Sequence, residues 1–400
     1  MEIVIIGNGL AGTMAAKALR EVDREAEVDI YAAERHLYYP RPNLIEWIAG
    51  TLPYDKLFAF PESWYGNERI RLHLGAPATR IVPQRKIVEI HGKRPAPYDA
   101  LLLANGATAV VPPIKGTDKK GVFTLRTLDD ALTILEYLKD HARVAVIGGG
   151  LLGLETARAL KARGAEVEIL EIFDYLLPRQ LDPQAGAILK AELEKRGIRI
   201  RLGHATDEIF GPGEVRGIRI KGGEDIPTEM AIIAAGVRPN LKIAQEAGLE
   251  TDRGIVVSDA METSREGIYA AGDSVEHNGR VYGIIPASFD QARVAARNIL
   301  GDRRTYKGTV PSNTLKVAGL YVTSVGHVNP EPGTHEEIRK VNPDQGVYKK
   351  IVLADGTLVG AIWMGTTTGV SHISRAVSQR TNIEKWKRSL FEEDFDFSLL

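Results

Sequence analysis

Two segments of the chain carry the same alternation of apolar and polar positions. In residues 3–34 the run EIVII reaches Gly7, small and apolar residues then recur at helical spacing to about Glu21, and VDIY leads on to Glu34. In residues 143–171 the run RVAVI reaches Gly148, and a helical stretch follows from about Leu151 to Arg163. Gly164 stops that stretch, and VEIL (167–170) ends at Glu171. Each segment predicts strand, tight turn, helix and strand. Further strands are expected in RIRLHLG, ATRIVPQ, KIVEIHG and YDALLLA, in IRIRLG, EVRGIRIKG and EMAIIAAG, and in GIVVSD and GIYAAGDS. Helices are expected over 182–197 and from about Ala287 to Leu300, while Gly236–Asn240 reads as a break. Beyond Tyr306 the runs LYVTSVG, YKKIVLAD and VGAIWMG, joined by turns at Pro330–Pro332 and Asp355-Gly356, predict an α+β module. The fold class is α/β.

Both turns have the spacing G-x-G-x-x-G, at Gly7, Gly9 and Gly12 and again at Gly148, Gly150 and Gly153. The first glycine permits a tight turn, the second lets the backbone approach a pyrophosphate, and the third seats the helix on the strand. The helix starts, Leu10-Ala11 and Leu151-Leu152, offer N–H groups and a partial positive charge to phosphates. Glu34 and Glu171, at the tips of the second strands, are placed to accept hydrogen bonds from an adenosine ribose. Glycines alone also mark ordinary turns, but here strand, helix and acid follow in the required order. Two cradles imply two dinucleotides brought face to face.

Bulk properties narrow the picture. Four hundred residues are too many for one core, so two or three domains are expected. The formal net charge of −1 gives no basic surplus for nucleic acid, and no apolar run reaches membrane-spanning length. The start MEIVIIGNG lacks a basic n-region, so it reads as a strand rather than a secretion signal, and the cytoplasm is the expected location. The chain has no cysteine, which excludes disulfides, thiolate chemistry and cysteine-ligated clusters. Its nine histidines are scattered, and His36, His277 and His327 show no ligand spacing, so no metal site is expected. Scarce Asn and Gln beside abundant Glu and Arg point to a heat-adapted source.

Five separated motifs carry a family resemblance: the two cradles, LLLANGA (101–107), AAGVRPN (234–240) and GIYAAGDS (267–274). Together they resemble the pyridine nucleotide–disulfide reductase superfamily of two-dinucleotide flavoproteins. The resemblance implies two Rossmann-type domains, with an NAD domain inserted in an FAD domain, and a C-terminal α+β interface domain. The segments would be 1–110 and 238–305 for FAD, 111–237 for NAD(H) and 306–400 for the interface. Gly7, Gly9 and Gly12 would line the FAD pyrophosphate, and Glu34-Arg35 the adenosine side. Ala78 would meet the adenine through its backbone, and Ala104, Asn105 and Gly106 would pass beside the FAD, with Asn105 standing where the family usually has Thr. Arg126 matches an arginine near the flavin. Gly272-Asp273 would reach the ribityl chain, and Ile285-Pro286 would begin a helix facing the flavin's pyrimidine edge. On the NAD side Glu155 matches an acid near the nicotinamide, with a surface position on the helix as the plain alternative, and Gly236 a close backbone approach.

The absent thiol excludes the relatives that carry a redox cysteine soon after the first cradle, where this chain has Asn43. Tyr39–Glu46, with Arg41 between two prolines and followed by Pro42, instead resembles NADH:rubredoxin reductases and the flavin part of nitrite reductases, as does LKVAGLYVTSVGHV (315–328). The implied activity is hydride transfer from NADH to FAD, then electron delivery to a small rubredoxin- or ferredoxin-like acceptor. Glu171 favours NADH over NADPH, because a carboxylate there would repel a 2′-phosphate. An NADH oxidase or diaphorase reducing O2 or quinones, and a redox-responsive subunit of a larger complex, stay open as alternatives. So does a homodimer. Arg375, Arg380, Lys385, Lys387 and Arg388 form a basic cluster suited to an acidic partner or simply to solvent, and FEEDFDFSLL reads as a tail or docking segment.

Overall fold

The computed structural model describes residues 1–317, 320–392 and 394–400. Ala318 and Gly319 of the 315–328 stretch, and Glu393 of the C-terminal segment, lie outside the described residues. The chain forms two compact units: residues 1–47, 52–108 and 237–309 make the first, and 48–51, 109–236 and 310–400 the second.

The first unit is built on a parallel sheet in the order Ile268–Ala270, Ala100–Leu103, Glu2–Ile6, Glu27–Tyr31, Ile70–His73. A sheet covered on both faces needs strands that are apolar throughout, and Leu101, Leu102 and Leu103 are fully buried. Helices Leu10–Arg20 and Ile285–Ile299 pack against each other. Ala15 and Ala16 on the one and Ala292, Ala295 and Ala296 on the other are fully buried.

The second unit repeats this design. Its parallel sheet runs Val122–Thr124, Met230–Ile233, Arg143–Ile147, Glu166–Leu170, Arg199–Arg201. Four strands repeat the order of the first sheet; the fifth, Val122–Thr124, precedes its cradle in the chain, whereas its counterpart Ile268–Ala270 comes last. Thr206–Phe210 and Asp225–Pro227 flank Gly217–Ile220 in a small antiparallel sheet. Val237–Pro239, expected as a break and belonging to the first unit, is a short strand; three residues are too few to show an alternation.

Residues 310–400 add an antiparallel sheet in the order Ser312–Val317, Leu320–Gly326, Thr357–Met364, Val347–Ala354, Glu336–Asn342, with helix Val370–Gln379 packed on it. The hairpin at Asp355-Gly356 closes with Ala354 opposite Thr357, and both turn residues have positive φ, 50° and 73°. That geometry explains Asp-Gly. The segment FEEDFDFSLL corrects its expectation. Phe391 is buried and stacks on Trp363 at 5.9 Å, and Phe397 meets Trp363 edge-on at 6.1 Å. Its aromatic side chains are consumed by the core of its own module rather than left to dock.

Candidate functional site

The first cradle owes its shape to two close approaches. Gly7 has φ 112°, and a Cβ there would stand 2.2 Å from the Ala104 carbonyl oxygen. A Cβ on Gly12 would stand 1.9 Å from the carbonyl oxygen of Gly7. Gly9 is different: a side chain there would project into open space, and as N-cap of Leu10–Arg20 it provides no side-chain cap. The N–H groups at Leu10 and Ala11 therefore start a helix whose mouth is open to an anion.

Other expected residues of the first unit gather around this turn. Gly272, φ 95°, approaches the Ala11 side chain, and its N–H donates to Gln291 Oε1 at 2.9 Å. Sequence reasoning missed Gln291; its one signal is a polar residue on an alanine-rich helix face. Asp273 follows directly, and Ile285, half exposed, opens the helix that carries Gln291. Asn105 and Asn240 exchange side-chain to carbonyl bonds, each 2.8 Å, so the asparagine that replaces the family's threonine fixes two loops to each other. Gly106, φ 63°, accepts the Asn240 N–H at 3.0 Å. Ala78 opens a strand opposite Ile90, and Arg35 lays its aliphatic stem along the Gly75 turn.

Glu34 lies past the tip of Glu27–Tyr31. Its Oε1 accepts from Arg41 Nη2 at 2.5 Å, and its Oε2 accepts from Arg41 Nη1 at 3.3 Å and from the Tyr39 hydroxyl. Arg41 and Pro42 begin helix Arg41–Ala49. Burial alone would lower the Arg41 guanidinium pKa, but the bonds to Glu34 and the nearby charge of Asp273 outweigh it and hold the group above its ordinary value. The sequence reading placed Tyr39 only at the head of the Tyr39–Glu46 motif and gave it no contact of its own.

The second cradle repeats the first in backbone and departs from it in how the acid is held. Gly148 has φ 117°, and a Cβ there would stand 2.5 Å from the Ala234 carbonyl oxygen; a Cβ on Gly153 would stand 2.0 Å from that of Gly148. Gly150 caps helix Leu151–Ala162, at Leu151-Leu152, with no side-chain cap and open space where a side chain would lie. Glu171 is buried, and it accepts the Gly149 N–H at 2.6 Å and the Phe173 N–H at 2.9 Å. Glu155 stands in the second turn of the same helix. Arg126 belongs to this unit, between Val122–Thr124 and Leu128–Leu138, with its backbone N–H on Asp130 at 3.0 Å; Gly236, φ 97°, is the last residue of the inserted segment. Among the described residues no cluster of three potential metal ligands forms, and no helix is long and apolar enough to cross a membrane.

The profile of the pyridine nucleotide-disulphide oxidoreductase family matches residues 1–298. The chain belongs to this family. The family uses FAD and NADH, and the repeated cradle fits two such groups: an open glycine, an uncapped helix start and a strand-end acid occur twice. Residues 311–381 match the C-terminal domain of rubredoxin NAD+ reductases. Among relatives, the chain is 36% identical over 386 residues to the NAD(P)H nitrite reductase of Bacillus subtilis (strain 168), covering 96% of this chain and 48% of that protein. It is 32% identical over 370 residues to the NADH-rubredoxin oxidoreductase of Clostridium acetobutylicum, covering 91% of this chain and 92% of that protein. The crystal structure of NADH:rubredoxin oxidoreductase from Clostridium acetobutylicum superposes with a TM-score of 0.82 at 30% identity, over 100% of this chain and 98% of that one. The chain spans about half the length of several relatives, 48%, 51% and 45% for three of them.

Proposed function

We propose that this oxidoreductase takes electrons from NADH and delivers them to a small rubredoxin- or ferredoxin-like protein through FAD. The observation that carries the reading is the duplicated cradle in a chain with no cysteine. Bound FAD would supply the conversion between a two-electron donor and a one-electron acceptor. The chain's own residues bind and orient. Gly7, Gly9 and Gly12, with the Leu10-Ala11 helix start, hold the FAD pyrophosphate; Glu34 takes the adenosine ribose. Ala78, Ala104, Asn105, Gly106, Gly272, Asp273 and Ile285 flank the rest of the FAD track. Gly148, Gly150, Gly153 and Leu151-Leu152 hold NADH, Glu171 its ribose, and Glu155 and Gly236 its nicotinamide side.

On this reading the first unit is the FAD domain, residues 109–236 are the NAD(H) domain, and residues 310–400 carry the acceptor surface. On the same reading the chain works in the cytoplasm, beside a pool of NADH. The ion pairs of Arg71 with Glu27 and Asp29, and of Arg219 with Glu208 and Asp225, suit a heat-adapted source.

The test is the visible spectrum of the purified protein, then anaerobic reduction with NADH and stopped-flow reoxidation by rubredoxin, ferredoxin, O2 and quinone. A flavin spectrum bleached by NADH and restored fastest by one of the two proteins is expected. Fastest reoxidation by O2 or quinone makes the chain an oxidase or diaphorase; slow reoxidation by all four, with a change of oligomeric state, makes it a redox-responsive subunit.

A further inference from the structure

We propose that Tyr39 positions the adenosine half of FAD by fixing the carboxylate of Glu34. The inference rests on the reading of the first cradle as the FAD site. The two cradles end in the same acid and hold it by different means. Glu171 is bonded to main-chain N–H groups, so its orientation is built into the backbone. Glu34 is more open, with its side chain 27% exposed, and the bonds found on it come from the side chains of Tyr39 and Arg41.

Tyr39 is well placed for this. It is 5% exposed, Arg41 lies over its ring at 4.9 Å, and Phe58 packs edge-on at 6.5 Å. Its hydroxyl oxygen accepts from Arg41 Nη1, which leaves its proton directed to Glu34 Oε2. Arg41 bonds both carboxylate oxygens, but its Nη1 is shared between Glu34 and the Tyr39 hydroxyl. Tyr39 adds a neutral donor on a fixed ring. An ionised carboxylate accepts about four hydrogen bonds. Two from Arg41 and one from Tyr39 leave a single acceptor direction, which selects one placement of a ribose hydroxyl.

The experiment titrates flavin-stripped full-length protein with FAD, with an FAD analogue lacking both adenosine ribose hydroxyls, and with FMN, reading flavin fluorescence. Tyr39→Phe keeps the ring and removes the donor. FAD affinity is expected to fall roughly ten- to hundredfold, while the dideoxy analogue loses little and FMN nothing. Such non-additivity is what a residue acting through the ribose contact produces. Arg41→Lys keeps the charge, breaks the two-pronged bond, and should show the same FAD-selective loss, which guards against a Tyr39 variant that fails to fold. An unchanged FAD affinity, or an equal loss on all three ligands, overturns the inference. A wild-type chain that binds no FAD overturns the reading of the cradle, and the inference with it.

Discussion

The carboxylate of Glu171 accepts the N–H of Gly149 at 2.6 Å, so the tip of the second strand is tied to the middle of the glycine turn. A Cβ on Gly149 would stand 3.0 Å from Glu171 Oε2 and 2.7 Å from Leu176, which is why the second cradle has glycine where the first has Asn8. On the proposed reading one acid both shapes the cradle and sets the charge beside the ribose. Glu171→Ala should lower stability by about 1–3 kcal/mol, by orphaning buried N–H groups. It should also cut the NADH over NADPH ratio of kcat/KM by roughly tenfold, a change of about 1.4 kcal/mol in discrimination. Thermal unfolding and steady-state kinetics with both nucleotides check the two effects; a wild-type ratio favouring NADPH refutes the assignment.

The glycines separate folding from binding. Gly9 and Gly150 have extended backbone at φ −84° and −78°, with open space at the side-chain position, so alanine fits both. Gly9→Ala and Gly150→Ala should keep or slightly raise the melting temperature, since alanine restricts the unfolded chain by about 0.4–1 kcal/mol. Each should weaken the nucleotide of its own cradle and leave the other unchanged. Gly7→Ala and Gly148→Ala, strained at positive φ and pressed on a carbonyl, should instead lose folded protein. Melting curves with FAD and NADH titrations read both outcomes; a nucleotide affinity indifferent to Gly9→Ala and Gly150→Ala would remove the phosphates from these turns.

Why the sequence disclosed the cradles and hid other features follows from the physics of each. A strand buried on both faces must be apolar, and a backbone pressed on a carbonyl must be glycine, so Ile3–Gly7 and Val144–Gly148 are legible without coordinates. Edge strands carry no such demand. Glu336–Asn342, with the sequence EEIRKVN, has no fully buried residue and shows no alternation to read. Long-range polar bonds leave no local trace either. Tyr39 reads as one more aromatic beside Arg41, and Asp182 as the first residue of the expected 182–197 helix, until the fold brings their partners in. The acidic and aromatic C-terminal segment misled because acids on one side of a short turn do not prevent Phe391 and Phe397 on the other from packing on Trp363.

Asp182 joins segments that are distant in sequence within the second unit. Its Oδ1 caps helix Pro183–Glu194 through the Ala185 N–H at 3.0 Å. Its Oδ2 accepts from the Tyr348 hydroxyl at 2.5 Å and from the buried Lys350 ammonium at 3.2 Å. Burial pushes the Asp182 pKa up, but the Tyr348 and Ala185 hydrogen bonds and the Lys350 charge prevail and hold it below the ordinary value. A depressed carboxyl pKa stabilises the fold above the unfolded value, about 4, and that stability drains away as pH falls through the lower folded value. Asp182→Asn should cost about 1–3 kcal/mol at neutral pH, because Lys350 loses one of its two counter-charges and keeps Glu337 at 3.3 Å. It should also flatten the loss of stability below about pH 4. Urea unfolding at several pH values tests both; parallel stability–pH curves for the two proteins would show that the fold does not shift the Asp182 pKa.

The basic cluster near the C-terminus divides into residues already engaged and residues turned to solvent. Lys387 bonds Glu336 at 2.9 Å and Glu384 at 2.7 Å, and Lys385 lies over Trp386 at 4.7 Å. Arg375, on helix Val370–Gln379, Arg380 at its end and Arg388 are exposed. If an acidic electron acceptor is steered to this face, these three arginines supply the field. The Arg375→Glu, Arg380→Glu double variant should then raise the acceptor KM roughly tenfold at low ionic strength, and the deficit should shrink as salt screens charges beyond a Debye length of about 8 Å at 0.15 M. Reduction of a neutral quinone by NADH should not change, because no charge guides that encounter. Lys387→Gln should have a much smaller effect, its charge being already neutralised by two carboxylates. Stopped-flow rates across a salt series, with rubredoxin and ferredoxin as acceptors, decide the matter: a double variant with wild-type rates and salt dependence would place the acceptor on another surface.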